Sequence, residues 1–202
     1  MDLKQQILEC ATEKFMSVGI RSISMDDISN QLGISKKTLY KYVDNKRDLV
    51  DQTISRHLVV GKELMNQIKE NSINAVDEMI QMGRHNISVF RSTKPVLLHD
   101  LQKYYRQSWE KVVNLQSNFI QERIYENLQR GIQEGLYRAD INPEIIAKLY
   151  VAKTWSIVNE SVFPLNIFKR EELIKQHLTY HVHGIVTERG MQYLDKADIF
   201  NT

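Results

Sequence analysis

From Met25 to Asp48 the chain reads MDDISNQLGISKKTLYKYVDNKRD, and this stretch limits the possible folds more than any other. Ser24 stands before it, where its hydroxyl can cap the exposed amides of a helix that opens with Asp26 and Asp27, the charge sign a helix N-terminus favours. Ile28 and Leu32 lie one turn apart on one face. Ser29 is small enough for a neighbouring helix to approach closely, and Gly33 supplies the left-handed backbone that ends the helix. Ile34 can bury in the turn, and Ser35 is the N-cap of a second helix. That second helix turns Leu39 and Val43 inward and leaves Lys36, Lys37, Thr38, Tyr40, Lys41 and Tyr42 on its outer faces. Asn45, with Asp48 three residues later, reads as a capping box that starts a long helix containing Leu49, Val50 and Ile54.

Two short helices around a tight glycine turn, with a third following at once, have one well-known physical use, which is to place the second helix in the major groove of DNA. The outward residues fit that use. Lysines attract phosphates and donate to guanine edges, Thr38 can meet a base or a thymine methyl, and the tyrosine hydroxyls can donate to phosphate oxygens. Lys46 can meet a phosphate together with the free amides of the helix it helps to start. The candidate DNA-binding residues are therefore Ser24, Ser35, Lys36, Lys37, Thr38, Tyr40, Lys41, Tyr42 and Lys46. The plainer alternative is a helical hairpin with a solvated basic face. Against it, cap, glycine turn, cap, aromatic pair and second cap all fall in register.

Residues from about Ile7 to Ile54 resemble the DNA-binding domain of the tetracycline-repressor (TetR) family of bacterial transcriptional regulators. The resemblance rests on Phe15 and Gly19, Ser24, Asp27-Ile28, Gly33-Ile34-Ser35-Lys36, Thr38-Leu39-Tyr40, Tyr42, and Asn45-Lys46 followed by Leu49. It implies a recognition helix at about Lys36 to Val43, a homodimer on a palindromic double-stranded operator, and a helical C-terminal domain that senses a small molecule. Three residues depart from the family pattern: Lys37 where glycine is frequent, Lys41 where histidine is frequent, and Val43 where phenylalanine is usual. The lysines bear on operator preference, and Val43 makes a smaller core plug.

The composition is compatible with this reading without having suggested it. With 202 residues the chain can bury a substantial core in one or two domains. Only 3 Pro and 8 Gly interrupt it, which favours helices throughout. A net charge of +2 is nearly balanced, yet Lys36, Lys37, Lys41, Lys46 and Arg47 gather around the second short helix, opposed nearby only by Asp44 and Asp48. That local charge matters most, because screening limits its reach to about 8–10 Å. Cys10 is the only cysteine, so no intrachain disulfide forms, which suits a reducing cytoplasm. It falls among Leu3, Ile7, Ala11 and Phe15, the setting of a buried structural thiol rather than a redox sensor. The given sequence has no apolar run near 18 residues, and neither a signal peptide nor a basic N-terminal arm is expected. The expected location is the bacterial cytoplasm, at the nucleoid when bound to DNA.

Helical periodicity continues beyond Ile54. The fourth helix is expected to reach about Glu70, with a break at residues 71–74. Further helices are expected at 75–91, from Pro95, at 109–130 after a kink near residues 105–108, at 143–162 with Asn142 as cap and Pro143 in the first turn, and at 171–186. The fold class is all-α, an N-terminal three-helix domain over residues 1–48 and a helical regulatory and dimerisation domain over residues 49–202. The last two long helices carry apolar residues on more than one face, as helices need when they pack on their own domain and on a partner. Two from each subunit would form the four-helix dimer interface that the resemblance implies.

Candidate ligand-lining residues are Met82, His85, Phe90, Leu101, Tyr105, Trp109, Phe119 and Trp155, with Met79 and Tyr104 beside them. Aromatic and Met side chains suit an adaptable apolar cavity, although each could equally fill an ordinary core. His177 and His181 lie one helical turn apart, but no Cys or carboxylate completes a metal set, and neither metal nor cofactor is expected. A phosphate-cradling glycine loop, His-Glu-x-x-His, a Cys pair and Gly-x-Ser-x-Gly are all missing, so nothing nominates an enzyme. The expectation is a ligand-released repressor. Two alternatives stay open: a regulator of the same fold controlled by a protein partner or by nothing, and a helical enzyme or scaffold that does not bind DNA.

Overall fold

A computed structural model describes residues 2–196. The described residues are helical nearly throughout: α1 (Leu3–Val18), α2 (Met25–Gln31), α3 (Lys36–Leu39), α4 (Lys46–Asn71), α5 (Ala75–Ser92), α6 (Pro95–Tyr104), α7 (Arg106–Asn114), a π-helical stretch (Leu115–Ile120), α8 (Gln121–Gln133), α9 (Pro143–Val158), α10 (Arg170–Ile185) and α11 (Glu188–Lys196). The chain divides into two compact units, one of Met1–Glu63 with Ser92–Asn114 and one of Leu64–Arg91 with the residues from Leu115 onward.

The core of the first unit is built where the sequence pattern puts it. Ile7, Ala11 and Phe15 of α1, Ile28 of α2, Leu39 and Val43 around α3, and Leu49, Val50 and Ile54 of α4 are all buried in one cluster. Cys10 is buried among them, and burial pushes its thiol pKa up. The unit is nevertheless larger than residues 1–48. It includes the first part of α4 together with α6 and α7, because Leu97 and Leu101 of α6 enter the same core and Tyr105, Trp109 and Val112 pack against it. Buried Asp100 reinforces the join, its carboxylate accepting the Arg21 amide at 3.0 Å.

In the second unit, Val76, Met79 and Ile80 of α5 meet Ile124 and Leu128 of α8, Tyr150 and Val151 of α9, and Leu178 and Val182 of α10. Its tightest point is Gly131, where an added Cβ would run into the Tyr137 ring, so only glycine lets the ring lie on α8. The Tyr137 hydroxyl lies 2.8 Å from the Ala75 carbonyl and 3.1 Å from Asn127 Oδ1. Arg130 holds the nearby helix ends, reaching buried Glu78 at 3.1 Å, Glu134 at 2.7 Å and the Ser72 carbonyl at 3.1 Å. Burial pushes the Glu78 pKa up, and hydrogen bonds from Asn127 and Arg130 pull against that shift.

Three features depart from the sequence reading. The helix expected at 109–130 begins at Arg106 and passes through the π-helical stretch. The helix from Pro143 stops at Val158, short of residue 162, where Asn159 takes an extended conformation. Helix α11 has no counterpart among the expected elements, and it is started by Thr187, whose hydroxyl oxygen accepts the Gly190 amide at 3.1 Å. Tyr137→Phe leaves the Ala75 carbonyl and Asn127 with one buried partner fewer. Chemical denaturation is expected to show a loss of about 1–2 kcal/mol with an unchanged denaturant slope.

Candidate nucleic-acid interface

Each short helix of the first unit is closed at its start by its own side chain. The Ser24 hydroxyl accepts the Asp27 amide at 3.1 Å while the Asp27 carboxylate accepts the Ser24 amide at 2.7 Å, a reciprocal capping box. That pairing holds the Asp27 pKa below the usual carboxylate range. Gly33, at φ 63°, reverses the chain after α2, and the Ile34 amide donates to the Ser29 carbonyl at 3.0 Å across the turn. Ser35 then caps α3 by accepting the Thr38 amide at 3.1 Å, and its hydroxyl pairs with that of Thr38 at 2.9 Å. Asn45 caps α4 by accepting the Arg47 and Asp48 amides at 2.9 and 3.1 Å. The Asp48 carboxylate accepts the Asp44 amide at 2.9 Å rather than that of Asn45, so the capping box read at 45–48 is displaced by one residue.

The recognition helix is shorter than the expected Lys36 to Val43. Regular α-helix ends at Leu39, and the Lys41 and Tyr42 amides bond to the Thr38 and Leu39 carbonyls, three residues back, at 3.2 and 3.0 Å. The tightened turn delivers Val43 into the core, where it is buried beside Leu39, before Asn45 restarts the chain as α4.

This framework presents Lys37, Tyr40 and Lys41 as exposed side chains. Lys36 is also exposed but pairs with Asp26 at 2.7 Å, a surface pair weak enough for a phosphate to exchange with it. Tyr42 is half-buried against the unit's core. The hydroxyls of Ser24, Ser35 and Thr38 are already engaged in the caps. Lys46 folds back toward the Arg21 carbonyl at 3.4 Å, and burial lowers its pKa. Arg21 is a further surface residue that the sequence reading misses. Its guanidinium lies 4.6 Å from the centre of the Tyr104 ring and donates to the Tyr104 hydroxyl at 3.1 Å, a contact across 83 residues that no local pattern could signal.

The candidate ligand residues fall into three hydrophobic clusters, with His85 outside them. Leu101, Tyr105 and Trp109 belong to the core of the first unit. In the second unit Met82 is core, Phe119 and Trp155 pack against that core, Phe90 joins a separate cluster with Ile87, Ile157 and Ile174, and His85 is half-buried, its pKa lowered by burial. Of the two further candidates, Met79 is core and Tyr104 is exposed. A cleft between α5, α9 and α10, lined by Gly83, Asn86, Phe90, Tyr150, His177 and Leu178, has a volume of about 10 Å³. His177 and His181 flank buried Tyr150, their ring centres 5.0 and 4.8 Å from its own. No group of three or more His, Cys, Asp or Glu among the described residues is placed to hold a metal.

The buried histidines set a pH dependence. Burial lowers the pKa of His177 to about 4 and that of His181 to about 3. Both rings are neutral in the folded protein at pH 6.5, and below that pH the unfolded chain takes up protons that the native state refuses. Stability is therefore lost as pH falls from about 6.5 toward 4, by about 2–3 kcal/mol for each histidine, and His181→Phe removes about half of the dependence measured by denaturation. On the DNA-facing side, Lys37→Gly is expected to reorder the preferred sequences in a binding-selection assay, with base discrimination changing by about 1–3 kcal/mol. Lys46→Ala weakens all sequences alike and lowers the salt slope by about 1 per protomer.

Comparison with known proteins agrees with this geometry. Residues 7–53 match the family described as bacterial regulatory proteins, tetR family. An uncharacterized HTH-type transcriptional regulator of Bacillus subtilis, YvaF, is 27% identical over 172 residues, covering 83% of this chain and 87% of its own. Among solved structures, a transcriptional regulator from Cytophaga hutchinsonii has a TM-score of 0.74 at 20% identity, over 91% of this chain and 98% of its own. A putative transcriptional regulator from Saccharomonospora viridis, solved in complex with choline, has a TM-score of 0.64 at 16% identity, over 92% of this chain and 98% of its own. Residues 7–53 thus carry a helix-turn-helix that matches the tetR family of bacterial regulatory proteins, and the chain as a whole is similar to HTH-type transcriptional regulators in sequence and to solved tetR-family regulators in its all-helical fold.

Proposed function

We propose that the protein is a cytoplasmic repressor that binds a palindromic operator as a homodimer and is released by a small-molecule effector. The observation that carries the DNA-binding part is the exposed set Lys37, Tyr40 and Lys41 on a segment whose backbone is held by Ser24, Gly33 and Ser35. These side chains reach base edges and phosphates, and the lysines with Lys46 supply the charge. Two copies would set their recognition elements in successive major grooves, roughly 34–36 Å apart.

Dimerisation is supported by the faces of α9 and α10. Ile145 and Leu149 are 56% and 47% exposed, Ala152 and Ser156 continue their stripe along α9, and Tyr180 of α10 is 70% exposed. An apolar stripe at helical spacing is costly to leave in water and suits a second copy of the same helices.

Release would be a population shift, in which the effector acts through its higher affinity for a state with the wrong recognition-helix separation. The choline complex of the Saccharomonospora viridis protein supports a small molecule as the kind of signal. The α5–α9–α10 cleft, at about 10 Å³, would have to spread to admit one. That filled cleft also favours a second reading, control by a protein partner.

Gel shift on the DNA flanking the protein's own gene tests the proposal. A salt-sensitive, sequence-selective complex is expected, and its absence overturns the repressor reading. A small-molecule screen for release separates the two signals, since repeated failure alongside retained binding favours the protein partner. Leu149→Glu is expected to give a folded monomer by light scattering, with operator affinity at least 100-fold weaker; a variant that stays dimeric contradicts the assigned interface.

A further inference from the structure

The corner where α6 meets α7 carries a basic groove that the helix-turn-helix does not explain. Arg47, Asp51, Lys103, Tyr104, Tyr105, Arg106, Gln107, Ser108 and Glu110 line an open depression of about 430 Å³, all within the first unit. Its two carboxylates are already engaged. Asp51 accepts from Lys111 at 2.7 Å and from Ser108 at 3.1 Å, and Glu110 pairs with Arg106 at 2.9 Å. Among the described residues no ion pair engages Arg47, Lys103 or Arg21, so the groove presents net positive charge. The Tyr104 ring organises that charge, with Arg21 4.6 Å and Lys103 5.4 Å from its centre.

The groove is also continuous with the candidate DNA-binding surface. Lys46 reaches the Arg21 carbonyl at 3.4 Å, Arg21 reaches Tyr104, and Arg47 follows Lys46 on the first turn of α4. Lys46, Arg21 and Arg47 thus link the start of α4 with the α6–α7 corner. A duplex presents one negative charge for about every 1.7 Å of its axis, well beyond the base pairs that α3 can read. The geometry points to the DNA backbone outside each half-site as the occupant: we infer that Arg47, Lys103 and Arg106 hold flanking phosphates and lengthen the footprint past the bases that are read. Such contacts add affinity and fix register without adding base preference. The inference rests on the DNA-binding reading above.

The test uses the full chain and two duplexes. One is trimmed to the base pairs that a binding selection finds constrained, and the other carries about ten further base pairs of arbitrary sequence on each side, roughly one helical turn. The unaltered protein is expected to bind the longer duplex more tightly and with a steeper dependence on salt. Lys103→Ala with Arg106→Ala, both exposed and off the core, is expected to melt at the same temperature and keep the same ranking of sequences. Its salt slope on the longer duplex is expected to fall by about 4, for two contacts on each protomer of a dimer. Retention of the full flank benefit and slope by the double variant overturns the inference. So does a titration in which inorganic phosphate binds the unaltered protein but not the variant while DNA binding is equal, which makes the groove a small-anion site. Absence of any selective complex with the unaltered protein removes the DNA-binding reading itself, a result distinct from either.

Discussion

The reversal at Gly33 is the constraint on which the DNA-facing surface depends. At φ 63° the backbone turns sharply enough for the Ile34 amide to meet the Ser29 carbonyl, and only then can Ser35 begin α3. An added Cβ at Gly33 would meet nothing within 4 Å, so conformation and not space selects glycine there. Beyond the turn, α3 has four residues. A helix that short has no stability of its own and stands because Leu39 and Val43 are buried beneath it. Lys37, Tyr40 and Lys41 thus hang from a framework set by one glycine, two capping serines and two buried aliphatic side chains. Preorganisation of this kind lowers the cost of ordering the side chains on binding.

Much of this is legible in the sequence because it is local. Caps at Ser24 and Ser35, the turn at Gly33, the Asn142–Pro143 restart and the spacing of Ile28, Leu32, Leu39 and Val43 are all decided within a few residues. The structure departs from the reading where distant residues decide. Recognition helix α3 ends at Leu39 because Val43 must reach a core made by α1 and α4, which a helical pattern through Lys36–Val43 does not reveal. Helices α6 and α7 join the first unit through Leu97, Leu101 and the Asp100–Arg21 bond, across 79 residues. For the same reason Leu101, Tyr105 and Trp109, read as ligand-lining, fill a different core from Met82 and Trp155. Aromatic and Met residues at helical spacing announce burial, but not which core they enter.

The second unit follows a different physical scheme. Its interior is closed by polar groups that satisfy one another, with Tyr137 and Asn127 at the Ala75 carbonyl and Arg130 at Glu78, Glu134 and Ser72. Near Tyr150 that satisfaction is incomplete: the Nε2 atoms of His177 and His181 are buried without a hydrogen-bond partner. His177 lines the narrow α5–α9–α10 cleft, and His181 packs on Tyr150 beside it. The caps of the helix-turn-helix are closed by their own side chains, whereas these two buried ring nitrogens are not satisfied.

The measurement bearing most directly on this picture is a base-resolved footprint of the protein on the DNA flanking its own gene. Two protected segments related by two-fold symmetry are predicted, their centres about 10–10.5 base pairs or a multiple apart, with protection lost as salt rises. Uniform protection, a single unrepeated segment, or protection indifferent to salt would contradict the assignment of Lys37, Tyr40 and Lys41 to a dimeric, groove-reading surface.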